Sequence, residues 1–267
     1  MTTVLILKLC LVPSLIYLVT LIGRHWGPNA AGWFSALPIV AGPILLTMAL
    51  EQGRPFVATA AANTLLAVIA VLVFCLAYAW GTRRFGIAGS MASALAAYAA
   101  AVALLQLLEL PLLAGFALVV VLLALAPRLF PRAVDADADA DVSTRARAPN
   151  DLPLRMLAGA LLCFTVTYAA STLGPRLSGV FAMFPVMGTI LVGFSHYASG
   201  REYAVNILRG MVRGYYAFAS FCVVLSLMLR DSPVALAFGV AAACALAVQL
   251  VSKRGMRFAA GAQVRRG

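Results

Sequence analysis

The sequence predicts an all-α, polytopic membrane protein: nine transmembrane helices arranged as an inverted 4+1+4 duplication. Three observations lead there. First, of 267 residues 63% are hydrophobic and only 11% charged, with a mean hydropathy of +0.98, whereas soluble domains carry roughly 25% charged residues. Second, apolar runs of about 20 residues recur, the length needed to cross a hydrocarbon core of about 30 Å at about 1.5 Å per residue. Third, the segment Gly27 to Ile39 returns as Gly174 to Val186, 147 positions later, in the pattern GPxxxGxFxx(L/F)P(I/V). At the same offset Gly53-Arg54 meets Gly200-Arg201, Phe74-Cys75 meets Phe221-Cys222, Arg83 meets Arg230 and Lys8 meets Arg155. Matched Pro, Gly, Cys and Arg do not follow from apolar composition, so the chain reads as a duplication.

Taken in order, the apolar runs place helices near 3–22, 32–50, 56–80, 86–107, 110–127, 154–173, 177–197, 204–229 and 233–252. The first run resembles a signal peptide in position only. It has no basic leader, carries Lys8 inside the apolar stretch and matches a later helix, so it is kept. The stretch 86–127 is broken only by Gln106, Glu109 and Pro111; as one helix it would span about 63 Å, twice a bilayer, so it is divided in two. These runs group into a first four-helix repeat over 1–107, a connecting helix and linker over 108–153, a second, inverted repeat over 154–252 and a basic tail over 253–267. Within the linker, Asp135, Asp137, Asp139 and Asp141 alternate with Ala. They lack the Gly turn and terminal Glu of an EF-hand loop and read as a solvated, disordered segment.

Basic residues set the sidedness. With nine crossings, fourteen fall on one face, among them Arg24, Arg83, Arg84, Arg155, Arg201 and those of the tail, and three, Arg54, Arg176 and Arg230, on the other. The positive-inside rule then puts the N-terminus in the periplasm and the C-terminus in the cytoplasm of a bacterial inner membrane. The formal charge of +11 is explained by these anchoring residues. No basic patch interleaved with aromatics is present, so nucleic acid is not an expected partner. An odd number of crossings between two four-helix copies turns the second upside down, a common ground plan of secondary transporters.

The second copy resembles the GlpM-like family of small bacterial inner-membrane proteins through Arg155, the segment Ser178 to Pro185, the polar turn Ala198-Ser199-Gly200-Arg201-Glu202, and Leu208-Arg209. The first copy looks like a diverged version, with Lys8, Ala31-Gly32, Leu37-Pro38 and Gly53-Arg54 in the same places but Ala61-Ala62 where Leu-Arg would stand. The resemblance implies an inner-membrane protein, associated in some bacteria with export of the polysaccharide alginate.

Pro38 and Pro185 fall a third of the way into corresponding helices. Each removes an intrahelical hydrogen bond, and interrupted helices in matching positions of two halves point to a substrate site, the alternative being a kink with small-residue packing. Lys8 and Arg155 lie a turn or so inside the first helix of each copy. They read either as snorkelling anchors or as cations facing a cavity, with almost no acid near in sequence to pair with them. Arg209 and Arg213, one turn apart with Tyr216 a further turn on, call for something negative nearby: Glu202, a lipid phosphate or a substrate.

Glu51, Glu109, Glu202 and Asp231 sit at helix ends, which gives a carboxylate proton relay little support. His25 and His196 are too few for a metal site. The five cysteines lie in apolar runs without CxxC spacing and read as packing residues. No HExxH, P-loop, GxGxxG or nucleophile elbow occurs, so neither enzyme chemistry nor a cofactor or metal is expected. The expected function is that of a secondary carrier or flippase for a small anion or an anionic lipid-linked group, with Lys8, Pro38, Arg155, Pro185, Arg209, Arg213 and Tyr216 as substrate-binding residues. Its rival is a non-transporting accessory protein of an envelope polysaccharide or lipid pathway. Expected partners are the anion or lipid head group and anionic phospholipids, with room for a homo-oligomer.

Overall fold

A computed structural model describes the backbone of residues 2–108, 110–131, 151–172 and 184–264, and side chains over 9–108, 110–131, 151–166, 168 and 184–252. The aspartate-rich linker and most of the second Gly-Pro segment lie outside the described residues. The fold is all-α. Its helices are α1 (Thr2–Trp26), α2 (Pro28–Ser35), α3 (Ala41–Gln52), α4 (Arg54–Gly81), α5 (Ile87–Leu105), α6 (Leu112–Leu129), α7 (Leu152–Thr172), α8 (Val186–Asp231) and α9 (Val234–Val264).

Among the described residues, six of these are long and apolar enough to cross a membrane: α1, α4, α5, α6, α8 and α9. The sequence predicts nine crossings, and the difference has two structural sources. The run 32–50 is not one helix but two, α2 and α3, separated by a turn over 36–40 that contains Pro38. α7 has 21 residues, the length of a span, and its apolar stretch is described over Leu152–Val166. The expected helices near 177–197 and 204–229 meet as α8, which is broken at Gly200. The division of 86–127 into α5 and α6 matches the expectation, whereas the expected tail over 253–267 is helical as far as Val264.

Glycine decides two of the corners. Gly53 has φ 89° and ψ 167°, and Gly200 has φ 85° and ψ 176°. These two glycines are 147 residues apart and adopt one conformation, which a side chain cannot adopt without strain. Gly53 links α3 to α4, and Gly200 links the first arm of α8 (186–199) to the second (201–231). The matching extends to helix starts, since α5 begins at Ile87 and α9 at Val234, again 147 residues on. Gly200→Ala is expected to cost about 1–3 kcal/mol through backbone strain alone, read as a lowered midpoint of thermal unfolding in detergent.

Helices about 147 residues apart in sequence run in opposite directions. Arg24 in the last turn of α1 meets Asp151 just before α7, and Gly159 of α7 faces Ile16 and Val12 further back along α1. At the start of α4, Arg54 reaches the Ser232 carbonyl and the Ala58 carbonyl accepts from Ser226 Oγ (2.8 Å), both at the far end of α8. Between them α2 and α3 follow the second arm of α8 one after the other. Asn29 abuts Gly210, Ala36 and Trp33 abut Gly214, and Gly42 faces Phe221. The middle of α9 clamps α2: Gln249 Nε2 donates to the Trp33 carbonyl and Trp33 Nε1 to Ser252 Oγ, both at 3.0 Å. α6 packs along both α4 and α8.

Candidate functional site

Pro38 and Pro185 do the same local work at the start of the helix that follows each. A prolyl nitrogen has no hydrogen to donate, so the chain can restart a helix there at no cost in lost bonds. The Pro38 carbonyl accepts from Gly42 N (2.8 Å) and the Pro185 carbonyl from Thr189 N (2.9 Å), the first turns of α3 and α8. The segments after the two prolines converge on the crossing of α1 with α7. There Val12, Ile16, Cys163 and Ile190 form a small apolar cluster, and Val40 from one break and Val186 and Met187 from the other pack against it.

A polar cluster sits beyond this crossing, at the end of the molecule where α1 finishes and α7 starts. Arg155 is 5% exposed. Its Nε and Nη2 donate to Asp151 Oδ2 at 2.9 and 2.8 Å, its Nη1 donates to Ser195 Oγ at 3.2 Å, and its guanidinium lies 5.5 Å from the centre of the Phe194 ring. Asp151 Oδ1 is in turn 3.5 Å from the partly exposed Arg24 guanidinium. Tyr203, from the second arm of α8, donates its hydroxyl to the Gly23 carbonyl at 3.1 Å. The cluster therefore ties together α1, α7 and both arms of α8. Nearby, Tyr78 Oη and His196 Nδ1 share a hydrogen bond of 2.9 Å between α4 and the first arm of α8.

The expectation that Arg155 lacks an acidic partner is corrected here. Asp151, read from sequence as the end of the linker, stands one turn before Arg155 at the start of α7, where a carboxylate also suits the positive end of the helix dipole. At the positions 147 residues earlier, Val4, Met48 and Phe56 stand in place of Asp151, Ser195 and Tyr203. The Lys8 side chain lies outside the described residues.

Arg209 belongs to a different neighbourhood. Its Nη2 donates to the Pro131 carbonyl (2.7 Å) and its Nη1 to Asn206 Oδ1 (3.1 Å), while the Phe130 ring lies 5.9 Å away. The Pro131 carbonyl after α6 and the Asn206 side chain hold this cation, and Glu202, one of the anions the sequence called for, lies near enough to act on it electrostatically. Arg213 is exposed and Tyr216 half-buried on the same stretch of α8. The structure brings Pro38 and Pro185 to one crossing and Arg155 next to it, and keeps Arg209 apart. Asp151, Ser195, Arg24 and Tyr203 were not singled out by the sequence reading. Of these only Asp151 left a signal there, its i,i+4 spacing to Arg155 at a helix start. No family model, curated protein or solved structure matches the chain.

Proposed function

We propose that the protein is a secondary carrier or flippase of a bacterial inner membrane, moving a small anion or an anionic lipid-linked group by rocking two inverted four-helix halves against each other. One observation carries this reading: Pro38 and Pro185, 147 residues apart, each offer a carbonyl to the residue four on, Gly42 and Thr189, at the start of a helix, and the segments that follow them pack on the crossing of the antiparallel helices α1 and α7. Discontinuous helices at the interface of inverted repeats are where such carriers hold their substrates. On this reading α1–α5 and α7–α9 are the two copies, the second GlpM-like, with α6 as the single connecting span. The Arg24, Arg155 and Arg201 end faces the cytoplasm, the Arg54 and Arg230 end the periplasm.

Arg155 supplies the charge. An anion entering from the cytoplasmic end would exchange for Asp151 on the guanidinium, and Arg24 would retain the released carboxylate. The cluster then acts as a latch that opens only when a substrate replaces the internal ion pair. The accessory reading is favoured by a specific observation of its own, since Arg155 and Arg209 are both held by internal acceptors and need no ligand. Proteoliposomes distinguish the two. Uptake of phosphate, glucuronate or a short polyprenyl phosphate is expected for the wild type, and Arg155→Ala in protein shown to remain folded is expected to reduce it at least tenfold. No flux of any of these anions, or flux that Arg155→Ala leaves unchanged, supports the accessory reading.

A further inference from the structure

A second charged feature lies at the opposite end of the molecule from the Arg155 cluster. The first turn of α4, the last turns of α8 and the start of α6 border a cavity of about 380 Å³, within the size range of ligand pockets, about 300–1,000 Å³. Arg54 and Arg230 stand at its outer edge, and Ala58, Ala62, Leu112 and Leu229 line it further in. The charge is at one end only. From Arg54 the wall follows α4 through Ala58 to Ala62, about 12 Å along the helix, and every step after the arginine is apolar or small. The hydroxyls on the way are already used, Ser226 Oγ donating to the Ala58 carbonyl and Thr59 Oγ1 to the Pro55 carbonyl. They offer no reason for a polar solute to penetrate.

The two cations are available to a ligand. Arg54 gives one N–H to the Ser232 carbonyl at 3.1 Å, out of the five that a guanidinium carries. Glu51 and Asp231 stand at the same end and are exposed, yet no ion pair joins either arginine to an acid among the described residues. Arg54 also opens a 28-residue helix, whose N-terminal dipole adds to the attraction for an anion. Like charges on the rim of a low-dielectric groove repel each other, and a shared phosphate relieves the repulsion through bidentate contacts.

We infer that this groove is a binding site for an anionic phospholipid, its phosphodiester on Arg54 and Arg230 and one acyl chain along Ala58, Ala62, Leu112 and Leu229. The occupant is an amphiphile because the groove is one: charge at the rim, hydrocarbon within. The inference is independent of the carrier reading, since a lipid can fill this groove in a carrier or in an accessory protein alike.

The test uses the full-length protein in a neutral detergent, titrated with phosphatidylglycerol while thermal unfolding is followed. Phosphatidylglycerol is expected to raise the unfolding midpoint, as any ligand of the folded form does, whereas phosphatidylcholine and free glycerol 3-phosphate leave it in place. Charge-assisted contacts of this kind correspond to about tenfold in affinity per arginine. Arg54→Gln and Arg230→Gln should therefore each raise the half-saturating lipid concentration about tenfold and the double variant about a hundredfold, with Arg84→Gln, at the other end, without effect. Ala62→Phe, which fills the groove and keeps both arginines, is expected to abolish the shift. A response preserved in the double variant, a response to phosphatidylcholine of equal size, or an equal response to glycerol 3-phosphate overturns the assignment.

Discussion

Replacing Asp151 with alanine is expected to destabilise the folded protein by about 3–5 kcal/mol, the cost of leaving a buried cation without its counter-ion. Arg155 is 5% exposed, and Asp151 accepts two of its three side-chain hydrogen bonds. After Asp151→Ala the guanidinium keeps only Ser195 Oγ and the face of Phe194. The reverse change, Arg155→Met, is milder, because Asp151 retains the Arg24 guanidinium and sits nearer solvent. A buried pair replaced as a unit by apolar side chains is often neutral, so Asp151→Ala/Arg155→Met should recover most of the loss. Thermal unfolding in detergent gives the order: Asp151→Ala lowest, Arg155→Met intermediate, the double variant close to wild type. The same set separates two roles for the pair. If it only staples α1 to α7 and α8, restoring stability restores every activity. If Arg155 meets substrate, the double variant is folded and inactive. A single variant Asp151→Ala as stable as wild type would show that Arg155 is not held by this pair.

Much of the fold was legible because the residues that recur 147 positions apart have geometric roles. Gly53 and Gly200 share a positive φ, Pro38 and Pro185 each restart a helix, and α5 and α9 begin at equivalent positions. What composition could not show was where an apolar run stops being one helix. Residues 32–50 read as a single span because the turn residues other than Pro38 are Ala, Leu, Ile and Val, which carry no turn signal of their own. The polar turn around Gly200 suggested earlier ends for its helices than the structure has. Ser, Arg and Glu are all tolerated in helical ends, and only the backbone of Gly200 compels the corner. The site was less legible for a related reason. Charges were read from their position along the chain, whereas their meaning came from crossings. Asp151 looked like linker until α7 placed it against Arg155, and Arg54 and Arg230 looked like anchors until antiparallel α4 and α8 brought them to one groove.

The second large effect concerns the half-helix that leads into the first break. Gly32→Ala is expected to cost about 3–5 kcal/mol although it adds one methyl group. A Cβ at this position would fall on the Ile207 carbonyl oxygen and stand 2.7 Å from Met211 N. These are backbone atoms of a long helix and cannot rotate aside as a side chain can. Overpacking alone costs about 1–3 kcal/mol, and α2 can relieve it only by lifting off α8. That strains the two bonds from α9, Gln249 to the Trp33 carbonyl and Trp33 to Ser252, each worth about 0.5–1.5 kcal/mol. Gly42→Ala is the internal control. It lies just after the same break, and the nearest atom to its added Cβ is Phe221 Cζ at 3.8 Å, an ordinary contact. There the gain in helix propensity, up to about 1 kcal/mol, should leave stability unchanged or slightly raised. Comparing unfolding midpoints therefore tests the close seat of α2 on α8 separately from any general intolerance of side chains near Pro38. Equal losses at both positions would mean that the chain around the break, and not the contact with α8, sets the requirement for glycine. Loss at Gly32 alone would fix α2 as part of the α8–α9 body, leaving α3 and the turn at 36–40 as the segment able to move against it.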